Sequence, residues 1–325
     1  MIDGHGRSIT YLRLSVTDRC DLRCAYCMPE RMKFLPRSEV LSLDELDALA
    51  SAFIRLGISK LRLTGGEPLV RKGFVELVAG LSRHLGKGLD ELAITTNGTR
   101  LAEHAGALAR AGVSRVNVSI DSLDPATYAR ITRGGDVARA IAGVDAAIAA
   151  GIAVKVNTVA LANDNLGEVV ALADWAQARG AAISFIEVMP LGEVDAARVD
   201  QHVAMSEVRR RLSERWSLTP LALDTGGPAR YVRTDAGGTI GFITPLSDNF
   251  CGSCNRVRVT CTGLLYLCLG HDARVDLRAI LRSGDGDALD AAIARAIHRK
   301  PLAHDFRIAP ARTQGVERHM SVTGG

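Results

Sequence analysis

The chain has 325 residues and a formal net charge of +4, too small a surplus for gripping nucleic acid through a global basic field, so any cationic site has to be local. Only 4% of the residues are aromatic, whereas Ala, Val, Leu and Ile abound, as in buried parallel strands covered by helices. The N-terminus lacks the basic, long-apolar and small-residue succession of a secretory leader, and the most apolar run, residues 138–162, is broken by Asp145, Gly151 and Lys155; a cytoplasmic protein with no membrane span is expected.

In chain order, the first expected strand covers residues 11–18 and runs directly into Cys20-x3-Cys24-x2-Cys27. A helix is expected over 42–57, with Ser42 as its cap, Glu45 three residues later and Gly57 as its stop. The second strand, 60–66, ends in Thr64-Gly65-Gly66-Glu67, and the third, 91–98, in Thr95-Thr96-Asn97. The fourth, 115–121, carries Ser119 and Asp121; the fifth, 153–161, carries Lys155 and Asn157; the sixth, 183–189, carries Glu187 and Met189. Amphipathic helices are expected over 136–151 and 166–180 between them. Strands and helices that alternate in this way require right-handed crossovers and a parallel sheet, either open or closed into a barrel. The distinctive polar residues cluster at the strands' C-terminal ends, where parallel α/β folds build their sites.

After about residue 217 the texture changes to short strands over 230–235, 238–244, 255–261 and 264–270, separated by Gly-rich turns that suggest antiparallel pairing. A helix over 287–300 is stopped by Pro301, and the tail from 313 onward reads by itself as disordered. The division expected is a region of alternating strands and helices, 1–216, and a C-terminal region, 217–325.

Seven cysteines cannot all pair within one chain, and they cluster at two places: Cys20, Cys24 and Cys27 near one end, and Cys251, Cys254, Cys261 and Cys268 near the other. In a reducing compartment such clusters favour metal binding over disulfides. Three thiolates leave one iron of a four-iron cubane without a protein ligand, open to a substrate or cofactor; a structural zinc site with a remote fourth ligand is the alternative. Cys261, midway between Cys254 and Cys268, could replace either as a ligand, but it reads better as a strand cysteine that packs like a small apolar residue. Arg13, Arg62 and Lys155 interrupt apolar strands, and Arg256 and Arg258, two apart, share one strand face. Five cations so placed argue for a buried anion such as phosphate.

The Cys-x3-Cys-x-aromatic-Cys spacing, with Tyr26 in the aromatic slot, and the Gly65-Gly66-Glu67 run together resemble the radical S-adenosylmethionine (SAM) enzymes. The second set, Cys251-x2-Cys254-x13-Cys268, with Asn255-Arg256-Val257-Arg258-Val259 and the terminal Gly324-Gly325, is similar to the GTP 3',8-cyclase family over residues 7–325. The resemblance implies an α/β fold: an incomplete (βα)6 TIM-type barrel of the radical SAM type, with a C-terminal antiparallel α+β region closing its mouth. It implies two 4Fe–4S clusters, the first binding SAM and the second the guanine of GTP, each through its open iron. The implied reaction is the first step of molybdenum cofactor biosynthesis. A 5'-deoxyadenosyl radical removes H3' of GTP and C3' attacks C8, giving (8S)-3',8-cyclo-7,8-dihydroguanosine 5'-triphosphate.

The same resemblance assigns Tyr26, Gly66, Glu67, Ser119 and Met189 to SAM. It assigns Arg13, Arg62, Thr95, Lys155, Arg256, Arg258 and the backbone of Val257 to GTP, and makes Arg13, Gly324 and Gly325 catalytic. It further implies a homodimer, an electron donor such as flavodoxin or ferredoxin, and transfer of the product to cyclic pyranopterin monophosphate synthase, with no nucleic acid or membrane partner. Two departures stand out. Ser184 precedes Phe185-Ile186-Glu187 where the family commonly has Arg, leaving Arg198 as a candidate replacement, and the chain ends Val-Thr-Gly-Gly rather than aromatic-Ile-Gly-Gly. If the missing contact matters, Ser184→Arg is expected to lower the KM for GTP. A peptide-modifying radical SAM enzyme with an auxiliary cluster and a zinc-stabilised, non-enzymatic binding module are the alternatives.

Overall fold

The computed structural model describes residues 1–191, 200–304, 306 and 318–324. Arg198 and Gly325 lie outside the described residues, as do residues 313–317 of the tail. The six expected strands form as β1 (Tyr11–Ser15), β2 (Lys60–Thr64), β3 (Glu91–Thr96), β4 (Arg115–Ser119), β5 (Ala153–Ala160) and β6 (Ala182–Glu187), each parallel to the next. Helices α1 (Leu43–Arg55), α2 (Phe74–Leu81), α3 (Leu101–Arg110), α4 (Pro125–Thr132), α5 (Val137–Ala149) and α6 (Val169–Ala178) make the crossovers. The capping box forms at α1, where Ser42 Oγ accepts from Glu45 N at 3.0 Å and Ser42 N donates to Glu45 Oε2 at 2.7 Å. Two helices rather than one lie between β4 and β5, because Asp124 caps α4 just ahead of Pro125 and Asp136 caps α5.

Beyond helix α7 (Met205–Ser213) come β7 (Leu218–Leu221), β8 (Arg230–Thr234) and β9 (Thr239–Ile243), paired antiparallel in that order. Strands β10 (Arg256–Val259), β11 (Leu264–Tyr266) and β12 (Arg274–Asp276) form a second antiparallel set. The antiparallel expectation is incomplete in one respect: β9 pairs parallel to β6, and β10 pairs parallel to β1. The turns code the local hairpins, but neither long-range partner has a local signal. The result is a single twelve-stranded sheet in the order β12-β11-β10-β1-β2-β3-β4-β5-β6-β9-β8-β7, whose two ends do not pair with each other. Helices α8 (Arg278–Ser283), α9 (Gly286–His298) and α10 (Met320–Thr323) complete the described elements. No helix among the described residues is long and apolar enough to cross a membrane.

Alternation along the strands separates two environments. Leu12, Leu14, Leu61, Leu63, Val116, Val118, Val154 and Val156 pack with the helices into one apolar core. The residues between them, including Arg13, Arg62, Asn117 and Lys155, face a cavity on the other side. Register sets these polar residues side by side: Arg13 lies opposite both Arg62 and Arg258, and Asn117 lies opposite both Thr95 and Lys155.

Candidate active site

The first thiol triad sits on the loop after β1, which is clipped to the end of β2. Val16 N donates to Thr64 O at 2.8 Å, Gly66 N to Thr17 O at 2.8 Å, and Glu67 N to Arg19 O at 2.8 Å. A Cβ on Gly66 would lie 2.4 Å from Arg19 O, and one on Gly65 2.6 Å from Thr17 O. Both glycines therefore admit the cysteine loop's own backbone. The loop is held on its other side by Arg23 N and Ala25 N, which donate to Thr132 O and Ile131 O at 3.1 and 2.9 Å. Tyr26 donates its phenol to Asp121 Oδ2 at 2.7 Å, and Asp121 Oδ1 accepts from Val159 N at 2.8 Å. Burial pushes Asp121 up to about 6 against both of these bonds. Burial likewise pushes the Cys20 thiol up to about 12.

The second triad flanks β10 and β11. Cys251 opens a short turn, Cys254 precedes β10 and Cys268 follows β11. Arg7, ion-paired to Asp3, donates to Cys251 O, Leu302 O and Pro301 O at 2.7, 2.8 and 2.6 Å, tying the start of the chain to this turn. Burial raises the Cys254 thiol, but Arg256 and the buried Lys300 outweigh it and bring the thiol down to about 7. None of the six cysteines is in a disulfide, and all six line one cavity that is partly open to solvent. Cys261 is buried away from that wall. Among the described residues, no three His, Cys, Asp or Glu side chains converge closely enough to hold a single metal ion. Three soft sulfur donors per set fit an iron–sulfur cluster.

Between the triads runs a cationic wall formed by Arg13, Arg62, Lys155, Arg256 and Arg258. Burial, with Arg256 next to it, lowers Arg258 to about 10. Burial and the neighbouring Arg62, Arg115, Lys60 and Arg256 lower Lys155 to about 7. The nearby carboxylate, Glu91, is already taken by Lys60 at 2.7 Å and Arg115 at 2.5 Å. Arg13 Nε and Arg62 Nε are buried without a hydrogen-bond partner, as are Thr95 Oγ1, Asn117 Oδ1 and Asn157 Oδ1. Groups of this kind are costly unless a polar ligand completes them.

Tyr26, Gly66, Ser119 and Met189 line the same cavity as the first triad, as do Thr95 and Val257. Glu67 stands behind the wall, fully buried. Its carboxylate accepts from Leu69 N at 3.0 Å, Thr96 Oγ1 at 2.8 Å and Asn97 N at 2.6 Å, so it fixes the end of β3. Gly324 packs against Thr64, where a Cβ would meet the Thr64 methyl at 2.1 Å, and its carbonyl accepts from Arg258 Nη1 at 2.6 Å. Ser184 is fully buried, its hydroxyl without a partner. Sequence reasoning overlooked Arg115 and Asn117, which share the Ser119 face of β4 and could have been found by alternation. It also overlooked Tyr231, Lys300 and Arg7, for which no local pattern exists.

Comparison with known proteins agrees with this geometry. The Radical SAM superfamily description matches residues 14–176, and that of Molybdenum Cofactor Synthesis C matches residues 181–306. A GTP 3',8-cyclase of Caulobacter vibrioides is 61% identical, covering 100% of this chain and 94% of the relative. One from Erythrobacter litoralis is 57% identical, covering 100% and 98%. The structure of Streptococcus suis SuiB bound to S-adenosylmethionine shares the fold, with a TM-score of 0.62 at 13% identity over 88% of this chain and 68% of that one. On the strength of full-length relatives at this identity, and of the two triads and cationic wall in one cavity, the chain belongs to the GTP 3',8-cyclase family of radical SAM enzymes.

Proposed function

We propose that this chain converts GTP to (8S)-3',8-cyclo-7,8-dihydroguanosine 5'-triphosphate in molybdenum cofactor synthesis. Cys20, Cys24 and Cys27 would hold one 4Fe–4S cluster, and Cys251, Cys254 and Cys268 a second. With SAM bound at the first, one-electron reduction would supply a 5'-deoxyadenosyl radical that removes H3' of GTP, and closure of C3' on C8 would then take up a second electron and a proton. The observation that carries this reading is the cationic wall, whose buried and unpaired guanidinium nitrogens lie in the cavity that both triads line. Arg13, Arg62, Lys155, Arg256 and Arg258 bind the triphosphate, and arginine forks suit its oxygens in pairs. Tyr26, tied to Asp121, holds the first cysteine loop at the cavity wall. Gly324 braces Arg258 through its carbonyl. A homodimer, a flavodoxin or ferredoxin as electron donor, a cytoplasmic setting that keeps the thiols reduced, and transfer of the product to cyclic pyranopterin monophosphate synthase belong to the same reading.

The test is anaerobic reconstitution with iron and sulfide, followed by SAM, a strong reductant and each nucleoside triphosphate in turn. The expected outcome is 5'-deoxyadenosine formed only with GTP, together with a cyclised guanine nucleotide. Equal 5'-deoxyadenosine with ATP, or bound zinc without acid-labile sulfide, would overturn the proposal.

A further inference from the structure

Lys155 is a buried amine on strand β5, surrounded by other cations: Lys60 and Arg62 from β2, Arg115 from β4 and Arg256 from β10. An ammonium in that position has three N–H groups to satisfy and a flexible stem that can turn away from its neighbours. One N–H donates to the phenol oxygen of Tyr231 on β8 at 3.0 Å, and Nζ lies 5.2 Å from the Tyr231 ring centre. The phenol is held from its far side as well. Thr225 Oγ1 lies 3.2 Å from it, and Thr225 O accepts from Lys60 Nζ, which pairs with Glu91. The network thus ends on a carboxylate, and Thr225 itself lines the cavity.

The ring of Tyr231 has a fitted seat. Gly241 of β9 lies opposite Ser184 on one side and Tyr231 on the other. A Cβ there would sit 2.4 Å from Ser184 Oγ, 3.0 Å from Tyr231 Cε1 and 3.2 Å from Ala229 Cβ. Ser184 makes no hydrogen bond through its hydroxyl, so its smallness is what serves this arrangement. Two small residues side by side leave the width that the tyrosine fills.

We propose that Tyr231 is a positioning residue for substrate binding: its phenol oxygen anchors the Lys155 ammonium at the cavity wall, and Ser184 and Gly241 provide the space that its ring occupies. The inference rests on the reading that the cavity takes the triphosphate of GTP. Removing the phenol oxygen frees the lysine stem and withdraws an acceptor from the charged form, so affinity falls most where Lys155 is least protonated.

The experiment measures GTP dissociation constants by equilibrium dialysis on the reconstituted, full-length chain without SAM or reductant. Wild type, Tyr231→Phe, Lys155→Met and the double variant are compared at about pH 6.5 and pH 8. Tyr231→Phe is expected to weaken binding by about tenfold at the higher pH and by less at the lower, the size of a hydrogen bond to a charged group. In the Lys155→Met background it is expected to change nothing further. Unaltered affinity in Tyr231→Phe, or an equal loss in both backgrounds, would overturn the inference. Absence of GTP binding by wild type would instead overturn the functional reading, and this inference with it.

Discussion

The ordinary lysine value of 10.5 falls to about 7 at Lys155 because the strand buries it among four other cations. The consequence has opposite signs for the empty protein and for its complex. Between those two pH values the unfolded chain holds a proton that the folded chain lacks, so this group's contribution to stability rises with pH across the window. The triphosphate, in contrast, favours the charged ammonium, so affinity should fall as pH rises through 7. Equilibrium dialysis should show a pH dependence in wild type that is reduced in Lys155→Met. Ser184 gives a second residue-scale expectation, and here the structure changes the forecast. An arginine at this position would meet Gly241 and the Tyr231 ring, so Ser184→Arg should lower stability by about 1–3 kcal/mol through overpacking rather than improve GTP binding. Anaerobic chemical denaturation, with a GTP titration alongside, distinguishes the two outcomes. The sequence marks Ser184 as a departure from the family pattern. The side chain that fills the vacated width lies 47 residues further on, at Tyr231, beyond the reach of any local pattern.

Strands β1 to β6 are legible because each has a period-2 pattern of core aliphatics, and α1 because its capping box is written in consecutive residues. The parallel docking of β9 on β6 and of β10 on β1 is not legible, since Gly-rich turns specify only the hairpin partner. The Gly65-Gly66-Glu67 run shows how a motif can be visible while its direction is not. Its glycines face the cysteine loop's backbone, and its carboxylate faces inward to the end of β3. Gly66→Ala should therefore act on the loop: the clash is with a carbonyl oxygen, which cannot rotate away as a side chain would. Iron per chain is expected to fall by roughly half after reconstitution, with the loss confined to the first cluster. Electron paramagnetic resonance of the reduced protein would check this, and full loading of both clusters would refute it.

At the scale of the whole molecule, the two triads belong to opposite ends of one neighbouring strand pair. Cys20, Cys24 and Cys27 follow β1, whereas Cys254 precedes β10, and the two strands run parallel. The paired strands span roughly 15 Å at about 3.3 Å per residue, a length suited to a nucleotide held between the two ends. The C-terminal Gly324 adds to that wall from outside the sheet, through the hydrogen bond from Arg258. Deleting Gly324 and Gly325 should leave iron content unchanged while largely abolishing the cyclised product, and normal turnover by the truncated chain would contradict this. The β1–β10 pairing also sets an order of events during synthesis. Strand β1 must wait for a partner made 245 residues later, so the sheet acquires Arg256 and Arg258 only by a contact of very long sequence separation, the slowest kind to form. A nascent chain can thus expose the thiols of its first loop for most of its synthesis while it still lacks the arginines of β10, and the complete cavity arises only once the C-terminal third has docked.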